Sequence, residues 1–230
     1  MRILFAVVLL ATTPLVLAAE TVVPVHEEPR HRLVHEGPEL RVLDVEIVPG
    51  DTTLFHRHDA PIAYVYISPA PTKAQVLGEE WGGASPNTSP APAVGSILFN
   101  ETYATAPVEH RVTNPGEVPF RLIAILNRGP GQADGTEEFL DEKYPVETSG
   151  RWFRSSRRTL ASQETWAWES HRRPVVVVQV SSGSVVVEPG TGSSSTLQSA
   201  GDFIVLRPEN PARFRNAGGE PATLAIVEVR

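Results

Sequence analysis

The chain has 230 residues, with 20 basic against 27 acidic side chains, a net charge of −7 and no cysteine. This acidic balance argues against nucleic acid or an anionic membrane surface as partner, and the absent thiols exclude disulfide staples and thiolate chemistry. At 41% hydrophobic residues the chain can bury a real core, as one large or two small domains.

The first 19 residues, MRILFAVVLLATTPLVLAA, set one basic residue, Arg2, before an apolar run to Leu10 and end in small residues ahead of Glu20. The pattern predicts a secretory signal peptide over 1–19. A membrane anchor fits less well, because Thr12, Thr13 and Pro14 break the run well short of the roughly 20 apolar residues a span requires. No membrane contact is expected after its removal. Lysine occurs only as Lys73 and Lys143 while arginine is abundant, a bias of GC-rich bacterial genomes, so the expected location is periplasmic or secreted. Residues 20–37 carry His26, His31 and His35 and read as a polar, mobile N-terminal arm that could hold metal loosely.

Short runs rich in Val and Ile then recur at 40–48, 63–67, 96–99, 120–126, 175–180, 184–187, 203–206 and 223–229, each closed by Gly, Pro or Asn. In the first, Leu43, Val45 and Ile47 alternate with Asp44 and Glu46, the period of a strand with one buried face. Only 136–143, TEEFLDEK, suggests a short helix. With 21 prolines and 17 glycines as punctuation, the expectation is an all-β protein of sandwich or barrel type. Residues 69–94, with a Pro/Ser-rich tail, read as a loop, and 128–157 read as a linker between domains.

An internal repeat supports that boundary. A shift of 113 residues lays HRHDAPIAYVYIS over ESHRRPVVVVQVS, so His58 meets His171 and Pro61 meets Pro174. At a shift of about 102, NPGEVPFRLIAI (114–125) matches NAGGEPATLAIV (216–227). Two similar β units follow one another, at 38–127 and 158–230.

His56 and His58 share one strand face if the period is two, and a metal held by them requires a third ligand from elsewhere. His110, in VEHRVTN, is the obvious one, followed by the turn residues Asn114, Pro115 and Gly116. Gly50, five residues, His56, one residue, His58, and later His110, three residues, Asn114 together resemble the paired motif of the cupin superfamily. The resemblance implies two tandem cupin-type jelly-roll β-barrels, a bicupin, with a metal centre in the first and a degenerate second. The family's first motif supplies two histidines and usually a glutamate, and its second another histidine. Here the glutamate's place falls to Ala63, between Ile62 and Tyr64, and Pro107 replaces the glycine of the family's Pro-x-Gly. The resemblance thus leaves His56, His58 and His110 as metal ligands.

Three neutral imidazoles leave a cation its full double charge, which favours an anionic, chelating oxygen donor. Iron is the reactive choice of divalent transition metal, and zinc, nickel, copper or manganese would accept the same donors. In the second unit Glu169 and His171 align with His56 and His58, but Ala212, between Arg213 and Arg215, stands opposite His110, so that unit reads as structural. Trp166 and Trp168 read as packing residues, Tyr64 and Tyr66 as facing away from a cavity lined by Ala63 and Val65. Glu101 and Glu109 read as solvated acids at the rim, Glu101 with a chance of reaching inward, and Arg151, Arg154, Arg157 and Arg158 as linker surface. Three functions stay open: a metal-dependent oxidoreductase of dioxygenase type on a small organic substrate, a non-catalytic small-molecule-binding cupin, and an isomerase or lyase using the metal as Lewis acid. Pairing through sheet edges into a homodimer is compatible with the resemblance.

Overall fold

The computed structural model of the protein describes residues 20–82, 92–131, 146–169 and 172–230. The segment 1–19 read as a signal peptide, the short helix expected at 136–143 and His171 lie outside them.

In the first half, nine strands follow in the order β1 (Val22–Pro24), β2 (His31–Glu36), β3 (Leu40–Ile47), β4 (Phe55–His58), β5 (Ile62–Ser68), β6 (Lys73–Val76), β7 (Ile97–Asn100), β8 (Val108–Thr113) and β9 (Phe120–Asn127). They build two facing sheets, β1-β4-β8-β6 and β2-β3-β9-β5-β7. The second half continues with β10 (Val146–Ser149), β11 (Phe153–Leu160), β12 (Thr165–Trp168), β13 (Val175–Gln179), β14 (Val185–Pro189), β15 (Ser195–Leu197), β16 (Phe203–Leu206), β17 (Ala212–Asn216) and β18 (Ala222–Val229). Its sheets are β10-β11-β18-β13-β16, which repeats the five-stranded order of the first half, and β12-β17-β14-β15, in which β12-β17-β14 repeats β4-β8-β6 while β15 lies beside β14 and, among the described residues, no strand takes the place of β1. Two open sandwiches of jelly-roll connectivity result, almost wholly β.

The two halves pack face to face. Leu40 and Val42 of β3, Ala63 and Val65 of β5 and Ile123 and Ile125 of β9 form one buried cluster with Val176 and Val178 of β13 and Val227 of β18. The five-stranded sheets are therefore covered on both faces, which explains their near-continuous apolar runs. Leu43, Val45 and Ile47 turn the other way, into the first sandwich. Asp44 is not on a solvated face: it is buried and receives hydrogen bonds from Arg32 at 2.5 Å and Arg121 at 3.0 Å. Arg121 also reaches the carbonyl of Ala200 in the second half at 3.2 Å.

A pair of asparagines displays the repeat most directly. Asn114 is fully buried; its Nδ2 donates to the carbonyls of Ile47 and Val118, both at 2.8 Å, and its Oδ1 accepts from Gly116 N at 2.9 Å. Asn216, equally buried, donates to Leu160 at 3.1 Å and Glu220 at 2.8 Å and accepts from Gly218 N at 2.9 Å. Each pins the turn between two strands to the end of a third. Gly50, at φ +77°, occupies the left-handed region that favours glycine and gives its amide to Asn114 O at 2.8 Å, closing the turn that leads toward β4.

Three expectations are corrected. Residues 20–37 are not a free arm: β1 runs parallel to β4, and β2 pairs with β3. The connection at 69–94 contains β6, which pairs with β8, although its sequence KAQV carries little strand propensity. Residues 146–157 of the expected linker form β10 and the start of β11.

Candidate metal centre

Strand register assembles the centre. In the antiparallel β4–β8 pair, His56 lies directly opposite His110, and His58, two residues on, shares the face of His56. Their ring centroids stand 4.7 to 5.0 Å apart, and one ligand nitrogen from each lies within 4.8 Å of the others. Some point is then no farther than about 2.8 Å (4.8/√3) from all three nitrogens; metal–imidazole bonds of about 2.0–2.1 Å need only small rotations from there.

The donors suit a divalent cation chemically. His56 is fully buried, and its Nδ1 donates to the carbonyl of Leu54 at 2.9 Å, which fixes the tautomer and leaves Nε2 as a lone pair. That Nε2 is buried without a hydrogen-bond partner, a costly state for a polar atom unless a ligand completes it. Burial, followed by the charges of His31 and His110, pushes His56 down to about 2. Burial and then His31 bring His110 to about 4, and burial holds His58 well below its ordinary value. All three imidazoles are thus neutral at pH 7, the form that binds metal.

The triad opens on a cavity of about 1170 Å³ between the two sheets of the first sandwich. Its walls include Val45, Ile47, Ala74, Leu122 and Ala124, so the interior is mostly apolar. Tyr64 and Tyr66 line it as well, whereas Ala63 and Val65 lie on the opposite face, packed on the second half. This reverses the expected orientation, and it places Ile62 and Tyr64, not Ala63, on the face where the family's glutamate would project. The Tyr64 and Tyr103 side chains are hydrogen-bonded, and burial raises both phenols above their ordinary range. Tyr103 also stacks on His58, with centroids 4.7 Å apart and planes inclined by 28°. At the rim, Arg57 donates to Glu109 at 3.0 Å.

Glu101 does not reach the triad. Its carboxylate accepts the backbone amides of Arg151 at 3.1 Å and Trp152 at 3.0 Å, fastening the first half to the start of β11. The arginines expected as linker surface are engaged too: Arg157 with Glu147 at 3.1 Å and Arg158 with Glu164 at 2.8 Å, while Arg154 is buried beside Glu228. Arg151 lies over the Trp152 ring at 4.6 Å.

Two residues were left out of the site by the sequence reading: His31, which it placed on a mobile arm, and Glu28. His31 is 7% exposed, its Nδ1 lies 2.7 Å from Glu28 Oε2, and its ring is 4.5 Å from that of His56. The only hint was the density of histidines in VHEEPRHRLVHEG, with an acid three residues before His31. His26 sits instead beside Arg41 at 3.4 Å. His35 is pushed down by burial and by Arg207.

The second sandwich has no equivalent centre among its described residues. Asn216 stands for Asn114, so Ala212 stands for His110, and Trp168, paired with Ala212, takes the place of His56. The correspondence on this strand is a shift of 112, one less than the sequence alignment gave, so Glu169 is out of step and lies exposed. Trp166, Trp168 and Phe214 fill the volume where a cavity would be; Trp166 meets Trp168 at 5.3 Å and Phe214 at 5.0 Å between centroids.

The fold and this site define a cupin-type barrel carrying a three-histidine cluster suited to a transition metal. No protein-family model and no curated protein matches the chain. Solved structures do. AerE from Microcystis aeruginosa superposes with a TM-score of 0.60 at 12% identity, covering 88% of this chain and 98% of its own. A cupin 2 conserved barrel domain protein from Leptotrichia buccalis gives 0.53 at 10% identity over 86% and 87% of the two chains. Salicylate 1,2-dioxygenase from Pseudoaminobacter salicylatoxidans, in adducts with gentisate, gives 0.55 at 11% identity over 84% of this chain and 68% of that one. These likenesses establish the fold: it is the cupin fold.

Proposed function

We propose that the chain is an exported bicupin whose first unit is a mononuclear, metal-dependent oxidoreductase of dioxygenase type acting on a small organic substrate. The observation that carries this reading is the unpartnered, buried Nε2 of His56, held against His58 and His110 at the wall of an apolar cavity. A dioxygenase among the proteins of like fold supports it. His56, His58 and His110 would hold the metal. A divalent transition metal there, iron above all, would supply open positions for an anionic oxygen donor and for dioxygen.

The protein's own side chains do the rest. The apolar walls exclude water and lower the local dielectric. Tyr103, stacked on His58 and hydrogen-bonded to Tyr64, can orient a substrate oxygen, while Arg57 and Glu109 set polar contacts at the rim. Residues 1–19 would direct export and be removed.

The iron-loaded chain is tested for oxygen consumption over diketones, thiols and phenolic acids. Turnover that His58→Ala abolishes upholds the reading. Saturable binding of such a compound without oxygen uptake replaces it with a non-catalytic binding role, which the loss of the glutamate ligand favours. Conversion of a substrate without oxygen uptake would make the protein an isomerase or lyase.

A further inference from the structure

We propose that the centre takes a fourth imidazole, His31 of β2, and that the Glu28 carboxylate is the residue that positions it. The inference rests on the metal-binding reading above and adds a ligand from a strand outside the histidine motif.

Glu28 is the hub. Its side chain is fully buried, and it spends both oxygens on fixed partners. Oε2 lies 2.7 Å from His31 Nδ1 and accepts the amide of Arg30 at 2.6 Å. Oε1 accepts the amide of Leu54 at 3.1 Å, and Arg30 Nη1 lies 3.5 Å away as its counter-charge. Leu54 is the residue whose carbonyl holds His56 Nδ1 at 2.9 Å. One carboxylate therefore anchors two adjacent imidazoles, His31 directly and His56 through the backbone of a single residue, Leu54.

Both rings are tied at Nδ1, so in both the nitrogen left for a ligand is Nε2. A carboxylate behind a histidine is the arrangement that makes a metal-ligating imidazole more basic and fixes its orientation. His31 lines the same cavity as the triad and packs on His56 at 4.5 Å, with ring planes inclined by 51°; its nitrogens stand outside the group of three that lie within 4.8 Å of one another, so the ring turns toward the triad on ligating. A buried Glu–His pair adds no packing that an apolar pair could not supply, and burying it carries a desolvation cost. With Ile62 and Tyr64 on the face where the family's glutamate would project, His31 and Glu28 bring in a nitrogen ligand backed by a carboxylate.

Cobalt(II) titration of the full chain, followed by visible absorption and by competition with a chelator, tests this. His31→Ala and His31→Gln are expected to weaken cobalt binding at least about 100-fold and to change the ligand-field bands, with Glu28→Gln, which removes only the positioning carboxylate, moving both in the same direction and weakening binding by about 10- to 100-fold. Affinity and bands unchanged in a folded His31 variant overturn the inference and leave the three-histidine centre standing. A wild-type chain that takes up no cobalt overturns both. Should His31→Ala not fold, His31→Gln, whose amide can still donate to Glu28, decides the matter.

Discussion

His56 and Leu54 form the closest link between backbone and centre: the imidazole gives its Nδ1 proton to the Leu54 carbonyl at 2.9 Å, and this leaves Nε2 facing His58 and His110 without a partner. The ring is set before any ion arrives, so little ordering entropy opposes binding. Removal of one ligand from such a triad leaves two, which hold a metal weakly.

His56→Ala, His58→Ala and His110→Ala are each expected to lower metal affinity at least about 100-fold, since ligand loss exceeds the 10- to 100-fold effect of removing an outer-sphere partner. Elemental analysis of the purified variants checks this. Metal content at wild-type level in all three would remove the centre.

The metal-free protein should lose stability in acid through the same residues. In the folded chain His56 and His110 are pushed down to about 2 and about 4, whereas unfolded histidine titrates near 6.5. Between those values the unfolded state binds more protons, so stability rises with pH and falls as pH drops below about 6.5, by up to about 1.4 kcal/mol per pH unit for each imidazole. Urea denaturation from pH 7 to pH 4.5 should show this slope, and His110→Gln should flatten it.

The two buried asparagines are expected to be structural equals. Asn114→Ala and Asn216→Ala each strip a turn of three or more hydrogen bonds and leave buried carbonyls unsatisfied, at a cost of about 2–4 kcal/mol. Denaturant midpoints measure the loss. Asn114→Ala should also reduce metal affinity, because it frees the end of β8 that carries His110.

Trp168→Ala empties the position that corresponds to His56 and should cost about 3–5 kcal/mol. Metal affinity measured on the folded fraction should not change, which separates the packing role of the second sandwich from the ligand role of the first.

The motif residues were legible in the sequence because their spacing fixes their place: Gly50, His56, His58, His110 and Asn114 all sit at turns or on adjacent, registered strands. The facing of Tyr64 and Tyr66 was not legible. Alternation tells inside from outside only where one face is wet, and β5 is buried on both faces, so parity alone could not say which side held the cavity. His31 was missed because β2 lacks an alternating pattern, its exposure running from buried His31 through exposed Arg32 and Leu33. The repeat was found, but the change of shift from 112 to 113 between β12 and β13 was hidden, since only the pairing of Trp168 with Ala212 reveals it.

The shared cluster of Ala63, Val65 and Ile123 with Val176, Val178 and Val227 has an evolutionary corollary. Were the second half deleted, the histidine-bearing half would present a broad greasy plane to water and stick to whatever it met. A half with no histidine cluster among its described residues can therefore remain indispensable as a cover, and selection on it would act through solubility.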